Sequence, residues 1–261
     1  MKIAVIGAGE MGGAFATGLL KVTVCKPEDV CVANPHTDKL ERFAAMGAAV
    51  TTDNKAAADG ADVVAVVVKP GVVKTVLDEL RPELDYDRQI LVNMAASVTI
   101  DRLETWLDKD GRVPAIVQAL PNIGIAERAS MTFLSPNTPG REVLGRLLPL
   151  FDDLGRTMIT DERLLAAGTA MCGCGIAYVL RFVRAATEAG VELGFKADDA
   201  RRIFVQTLRG AVSLLEDNDR HPEAEIDKVT TPGGMTIKGL NTMERNGFTP
   251  AVIAGIKAAL E

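Results

Sequence analysis

The chain has 261 residues, a formal net charge of −6 and charges of both signs along its whole length. Because it contains no basic block, we expect neither a nucleic acid nor an anionic membrane as a partner. The longest apolar run, residues 61–68, is too short to cross a bilayer, and strand-like sequence begins at the second residue, so we expect neither a membrane span nor a signal peptide.

The first predicted strand runs directly into a glycine-rich turn and a helix. Gly7, Gly9 and Gly12 follow it with the G-x-G-x-x-G spacing. In a dinucleotide site the first glycine permits the tight turn, the second lets the phosphates approach, and the third lets the helix pack on the sheet. The helix N-terminus then offers N–H groups to the pyrophosphate. The order predicts a dinucleotide site, with a purely structural glycine turn as the alternative.

The second predicted strand, residues 30–34, ends where such a fold binds the adenine ribose. Asn34 stands there instead of an acid, and Lys39 and Arg42 follow it. The missing carboxylate favours NADPH, although Asn34 also tolerates NADH. A solvated helix face is the alternative for both cations, and we favour it for Arg42.

Strands and helices continue to alternate up to about residue 160. We predict strands at 48–50, 62–68, 89–94, 113–120 and 131–134, and helices at 38–46, 54–60, 72–80, 100–107 and 141–151. Val68-Lys69-Pro70, Ala95-Ala96 and Pro121-Asn122 each follow a predicted strand. Because the carboxyl ends of parallel strands meet at one edge, these loops should converge on one crevice.

The rest of the chain has helical patterning, rich in small residues. We predict helices at 161–194, 198–216, 236–245 and 250–260, with Asp198 as one N-cap and Thr249-Pro250 as an N-cap and first residue. His221-Pro222 opens a short polar stretch between them. A helical domain without a sheet must bury its apolar faces, and a second copy of the chain is the expected partner.

We therefore predict an α/β fold. An N-terminal Rossmann-type parallel-sheet domain spans residues 1–160, and an all-helical dimerisation and substrate-binding domain spans residues 161–261.

The four cysteines do not make a disulfide framework in a chain of this size. Cys172 and Cys174 form a C-x-C pair that lacks further ligands at metal-binding spacing. We expect no bound metal, interpret both as small, buried, reduced thiols in a helix, and expect a cytoplasmic protein.

The segment Thr230–Thr236, T-T-P-G-G-M-T, interrupts two helices with a proline and two glycines. Exposed backbone N–H groups, a helix N-terminus and two flanking hydroxyls would suit a carboxylate. A plain loop with a glycine hinge is the alternative.

These motifs resemble the pyrroline-5-carboxylate reductase family over nearly the whole length. They are G-A-G-E-M-G, V-V-V-K-P, M-A-A-S, L-P-N and D-K-V-T-T-P-G-G-M-T, in the family's order. The resemblance implies reduction of 1-pyrroline-5-carboxylate to L-proline by NAD(P)H, the last step of proline biosynthesis. It also implies homodimers or larger dimer-based oligomers, with the active site between the cofactor domain and the helical domains.

The resemblance also implies which residues form the site. Cofactor contacts fall to Gly7, Ala8, Gly9, Glu10, Met11 and Gly12 at the pyrophosphate, Asn34 at the ribose or its phosphate, Asn54 at the adenosine part, and Val67, Val68, Lys69, Pro70, Ala95 and Ala96 beside the nicotinamide. The substrate carboxylate falls to Thr231, Gly233, Gly234 and Met235. Thr236 is the implied catalytic residue, its hydroxyl bonding the ring nitrogen or the carboxylate.

Three segments depart from the family pattern and concern the substrate more than the cofactor. Ile123-Gly124 replaces T-P, Cys172–Ile176 replaces S-G-S-G-P, and Met235 stands where a smaller residue is common. A reductase of a different cyclic imino acid and a cofactor-binding regulator without turnover therefore remain as alternatives. A hydroxyacid dehydrogenase would need a lysine within residues 161–194, and that stretch contains none.

Overall fold

Eight strands form one sheet in the order β3-β2-β1-β4-β5-β6-β7-β8. The strands are β1 (Ile3–Ile6), β2 (Val30–Ala33), β3 (Ala49–Thr51), β4 (Val63–Val66), β5 (Ile90–Asn93), β6 (Ala115–Leu120), β7 (Ser130–Pro136) and β8 (Gly155–Ile159). Strands β1 to β6 pair in parallel. β7 runs antiparallel to β6, and β8 runs parallel to β7. The α/β fold with a mainly parallel sheet is as predicted.

The structure, a computed structural model, describes residues 1–218 and 221–260. It divides into two compact units, residues 1–173 and the residues from 174 onward. The predicted domain boundary at residue 160 stays a prediction.

The central strands are apolar because both faces of the sheet are covered. Every residue of β1 and β4 is buried, as expected for parallel strands between helical layers. Val5 and Ala65 belong to one apolar cluster, whereas Ile6 and Val66 belong to a second cluster. The alternation of side chains along each strand thus feeds two cores, one on each side of the sheet.

The helices of the first unit connect successive strands along the chain, except for α7, which follows the last strand. They are α1 (Glu10–Leu19), α2 (Glu41–Ala45), α3 (Asn54–Ala58), α4 (Pro70–Leu80), α5 (Ile100–Leu107), α6 (Thr138–Asp153) and α7 (Leu165–Gly168). In α4 the residues at helical spacing, Val73, Val76 and Leu77, are buried. Pro70 opens α4 at its first turn, where the missing N–H costs no helical hydrogen bond.

Several predicted elements of this unit need correction. The helix predicted at 38–46 is a short 3₁₀ turn at Thr37–Lys39 followed by α2. No strand is predicted at the position of β8.

The second unit is helical, as predicted. It contains α8 (Gly175–Glu192), α9 (Ala197–Asn218), α10 (Pro222–Val229), α11 (Met235–Arg245) and α12 (Phe248–Ala258). Aromatic contacts join three of these helices: the ring of Phe182 lies 5.2 Å from that of Phe204 and 6.0 Å from that of Phe248. Within residues 174–216 and 221–260, only Ala200 and Glu225 are buried.

The helix ends of the second unit differ from the predictions. The stretch after His221 is not a polar loop but α10, with the His221 side chain capping it and Pro222 in its first turn. Asp198 lies inside the first turn of α9 rather than at its N-cap. Gly247, not Thr249, is the N-cap of α12, because its left-handed backbone reverses the chain there.

The predicted helix at 161–194 contains an irregular segment. A π-helical turn, Thr169–Cys174, separates α7 from α8. Cys172 and Cys174 lie in this turn as free thiols, and both are half-buried rather than buried as predicted. Single π-turns of this kind are common at functional sites.

Candidate cofactor and substrate sites

The glycine turn has a backbone geometry that side chains would prevent. Gly7 has φ +107°, and a Cβ at Gly12 would overlap the carbonyl oxygen of Gly7. A Cβ at Gly9 would instead point into open space. Gly9 is the N-cap of α1 and caps it with no side chain. The first N–H groups of α1 are therefore presented to an anion without obstruction, so the turn fits a pyrophosphate.

This turn opens onto a cleft of about 640 Å³ at the carboxyl ends of the central strands. Among the residues predicted to bind the cofactor, the cleft is lined by Gly7, Gly9, Glu10, Met11, Gly12, Asn34, Asn54, Val67, Val68 and Lys69. Ala8, Pro70, Ala95 and Ala96 are not in its lining, and neither are Pro121 and Asn122. The structure thus brings most of the predicted cofactor residues together around one cavity.

Asn34 is buried at the end of β2, and its amide is engaged with the backbone. Its Oδ1 accepts a hydrogen bond from the N–H of Ala8 at 3.2 Å, and its Nδ2 donates to the carbonyl of His36 at 3.1 Å. The side chain therefore ties the glycine turn to the loop after β2. This structural role of the Asn34 side chain was not evident from the sequence.

Two lysines line the cleft. Lys39 and Lys69 are both exposed, and neither has an ion-pair partner within residues 1–218 and 221–260. Their charges are available to an anionic ligand. Arg42 instead lies over the ring of Phe43, with its guanidinium carbon 4.5 Å from the ring centroid.

Two buried side-chain amides, those of Asn93 and Gln118, hold the Ala95-Ala96 segment in place. The carbonyl of Ala95 accepts from Asn93 Nδ2 at 3.1 Å and from Gln118 Nε2 at 2.9 Å. Asn93 Nδ2 also donates to Gln118 Oε1 at 2.8 Å. This network fixes the loop after β5.

Sequence reasoning missed the part of the cleft formed by α4. The missed lining residues on α4 are Val72, Thr75, Val76 and Glu79, and those outside it are Ile6, Ala33, Pro35, Thr52 and Met94. Glu79 accepts a hydrogen bond from Asn54 Nδ2 at 2.9 Å. The only signal available was the spacing of Val72, Val76 and Glu79, which places them on one face of a helix.

Asn122 and Cys172 form a second polar contact near the β6 end. Asn122 Nδ2 donates to Cys172 Sγ at 2.9 Å, and the thiol donates to the carbonyl of Met131 at 2.9 Å. Burial raises the pKa of the Cys172 thiol, which keeps it protonated and able to donate.

The predicted carboxylate loop forms a tight turn before α11. The N–H of Gly234 donates to the carbonyl of Thr231 at 2.9 Å, and Gly233 has φ +72°. Proline followed by a left-handed glycine is typical of a type II turn. Gly234 is the N-cap of α11. The hydroxyls of Thr231 and Thr236 are exposed and have no hydrogen-bond partner in the described part of the chain.

Two family models match the two parts of the chain. A model described as pyrroline-5-carboxylate reductase dimerisation matches residues 162–261. A model described as NADP oxidoreductase, coenzyme F420-dependent, matches residues 2–97.

Solved structures share the fold. A pyrroline-5-carboxylate reductase from Coxiella burnetii is 29% identical, with a TM-score of 0.86 over 99% of this chain and 96% of its own. A Plasmodium falciparum pyrroline carboxylate reductase with NADP bound is 24% identical, with a TM-score of 0.89 over 100% of this chain and 95% of its own.

Similarity to named relatives extends over the whole chain. Pyrroline-5-carboxylate reductase 1 of Dictyostelium discoideum is 38% identical over 97% of this chain, which spans 48% of that relative's length. Pyrroline-5-carboxylate reductase 2 of the same organism is 34% identical over 100% of this chain and 91% of the relative. The Aquifex aeolicus enzyme is 34% identical over 97% of this chain and 92% of its own length. The chain therefore belongs to the pyrroline-5-carboxylate reductase family.

Proposed function

We propose that this chain reduces 1-pyrroline-5-carboxylate to L-proline with NADPH. The observation that carries the proposal is the glycine turn opening onto the cleft, in a chain whose full length matches reductases of this family. Two features support NADPH as the cofactor: Lys39 and Lys69 line the cleft without an ion-pair partner in the described part of the chain, and position 34 is Asn rather than an acid.

The chemistry needs little acid–base assistance. NADPH supplies the hydride when bound. A protonated cyclic imine is already electrophilic, so the hydride adds to carbon and the nitrogen keeps its proton as the amine forms. What the chain must supply is orientation, which can itself account for a large part of a rate enhancement.

We assign that orientation to the segment Thr231–Thr236. Exposed N–H groups at the start of α11 would bind the substrate carboxylate, and the Thr236 hydroxyl would hydrogen-bond the ring nitrogen or the carboxylate. Two features support this assignment: the turn leaves both hydroxyls without partners in the described residues, and α11 begins directly after it.

We also propose that two copies of the chain assemble through the helical unit. The helical stretch Glu162–Glu192, which contains α7, the π-helical turn and α8, has 31 residues and is long and apolar enough to cross a membrane. Only 22% of its most apolar 18-residue segment is buried. The dimerisation model covers all of it. A second copy therefore accounts for this exposed surface, and the free cysteines suit the cytoplasm.

The test is NADPH consumption by purified protein with pyrroline-5-carboxylate, run beside NADH and beside the six-membered cyclic imino acid. Rapid loss of NADPH absorbance with the five-membered ring is expected. Turnover of the six-membered ring alone would identify a different imino acid as the substrate. Cofactor binding without turnover of either ring would identify a regulator.

A further inference from the structure

The cleft contains a carboxylate that the proposed reaction does not use. Glu79 lies on the face of α4 that lines the cleft, together with Val72, Thr75 and Val76. It accepts the 2.9 Å hydrogen bond from Asn54 Nδ2. No cation pairs with Glu79 within residues 1–218 and 221–260.

The pair lies at the adenosine end of the cleft. In this fold the adenine ribose is bound at the carboxyl end of the second strand. Asn54 begins α3, directly after β3, and β3 pairs with β2 on the side away from β4. Asn54 and Glu79 therefore lie beyond Asn34, at the end of the cleft away from Met94.

The pair offers acceptors and no cation, and its remaining donor is the second N–H of Asn54 Nδ2. Because Asn54 gives an N–H to the carboxylate, its Oδ1 is left as an acceptor. The second carboxylate oxygen of Glu79 is another acceptor. Such a pair disfavours a phosphate, which is itself anionic and acceptor-rich, and favours a group that donates hydrogen bonds.

The surroundings suit a flat aromatic base. Val76 and Val72 lie one and two turns before Glu79 on the same face of α4 and give the cleft an apolar wall. A purine lying on this wall would direct its edge toward the acceptors. The donor on the edge of adenine is its exocyclic 6-amino group.

We propose that Glu79, supported by Asn54, recognises the 6-amino group of the adenine of NADPH and selects against a 6-oxopurine. This inference rests on the proposed function, because it takes NADPH as the occupant of the cleft. It adds a specificity-determining residue on α4, a helix that is separate from the glycine turn.

The experiment compares NADPH with its deamino analogue, in which hypoxanthine replaces adenine. Binding of each is followed by the fluorescence of the reduced nicotinamide, without substrate. The wild-type protein should bind NADPH about tenfold more tightly, the size expected for one hydrogen bond to a charged group. In Glu79→Gln the amide can turn an N–H toward the 6-oxo group, so the ratio of the two Kd values should fall to near one.

Glu83→Gln is the matched control. Glu83 lies in the turn that follows the end of α4, four residues after Glu79; it pairs with Lys55 at 3.8 Å and does not line the cleft. It removes the same charge and should leave the ratio unchanged. Thermal unfolding of all three proteins checks that each variant is folded.

The outcomes separate the two proposals. An equal loss of affinity for both cofactors in Glu79→Gln would mean a ribose contact and would overturn the base assignment. A wild-type ratio near one, or a ratio retained by Glu79→Gln, would also overturn it while leaving the reductase intact. Failure of the wild-type protein to bind NADPH at all would contradict the proposed function, and this inference with it.

Discussion

At the residue scale, the polar side chains of the cleft bind the protein's own backbone as well as facing the ligand. Asn34 bonds both Ala8 and His36, so it sets the shape of the glycine turn from the end of β2. Its amide is suited to this because it accepts on one side and donates on the other.

Replacing this amide by a carboxylate tests the position of the 2′-phosphate. Asn34→Asp keeps the acceptor for Ala8 but loses the donor to His36 and adds a negative charge. We expect the affinity for NADPH to fall by about tenfold more than the affinity for NADH, through charge repulsion. Titrations of both cofactors measure this. Equal losses would show that the 2′-phosphate lies elsewhere.

The hydroxyl of Thr236 gives a second test at this scale. Thr236→Val keeps the shape of the side chain but removes the hydrogen bond, so kcat should fall by about tenfold. The side chain is exposed at the start of α11, so thermal stability should hardly change. Thr236→Ser restores a hydroxyl and should recover most of the rate. Unchanged kinetics in Thr236→Val would remove the hydroxyl from the mechanism.

Residue-level prediction succeeded where a local pattern carries the chemistry. Gly7 and Gly12 are identifiable because backbone geometry dictates their spacing. Glu79 was not identifiable, because its role depends on a contact with Asn54, 25 positions away, that only the packing of α4 beside α3 creates.

At the element scale, the predicted strands are correct where burial produces a continuous apolar run. Strands β1, β4 and β5 are buried along their whole length, and the sequence shows it. β8 was missed because Gly155–Ile159 lies at the sheet edge, where its side chains are largely exposed and no clear alternation marks it.

The missed helix α10 has a different cause. Its residues are mostly charged, which reads as a loop, yet His221 caps it and Pro222 occupies its first turn. Proline at the start of a helix is a recognisable signal. The prediction of a short polar stretch after His221 gave the charged composition more weight than this signal.

At the scale of the whole molecule, buried acidic groups set an alkaline limit to stability. Burial raises the pKa of the thiols of Cys25, Cys31 and Cys172, and of the phenol of Tyr86. The folded chain therefore keeps protons that the unfolded chain releases from its cysteines above about pH 8.5 and from Tyr86 above about pH 10, the ordinary pKa values of the two side chains. The stability that each group contributes is complete below its unfolded-state pKa and is lost as the pH rises through its folded-state pKa.

Urea unfolding between pH 7 and pH 10, with reductant present, should show this loss. The midpoint of the wild-type protein should fall steadily above about pH 8.5. In Cys31→Ala the midpoint should be lower at pH 7, because packing is lost, but should fall less steeply with pH. Identical slopes in the two proteins would mean that Cys31 releases its proton equally in both states.

The second unit has an exposed apolar surface, which is the basis of the proposed assembly. The exposed large side chains there include Val179, Leu180, Ile203, Val212 and Ile253. A monomer rarely exposes so much apolar surface. This exposure supports the proposed assembly of two copies through the helical unit.

A single charge in this surface should separate assembly from folding of the sheet. Ile203 is 50% exposed on α9, and Ile203→Asp would place a carboxylate in the interface without a partner. We expect sedimentation to show a shift from dimer, or multiples of it, toward monomer, with loss of turnover. Arg201→Asp, which lies about 200° around the same helix from Ile203, should stay assembled. NADPH binding should survive in both, because the cleft is built from the first unit alone; an assembled, active Ile203→Asp protein would place the interface on another face.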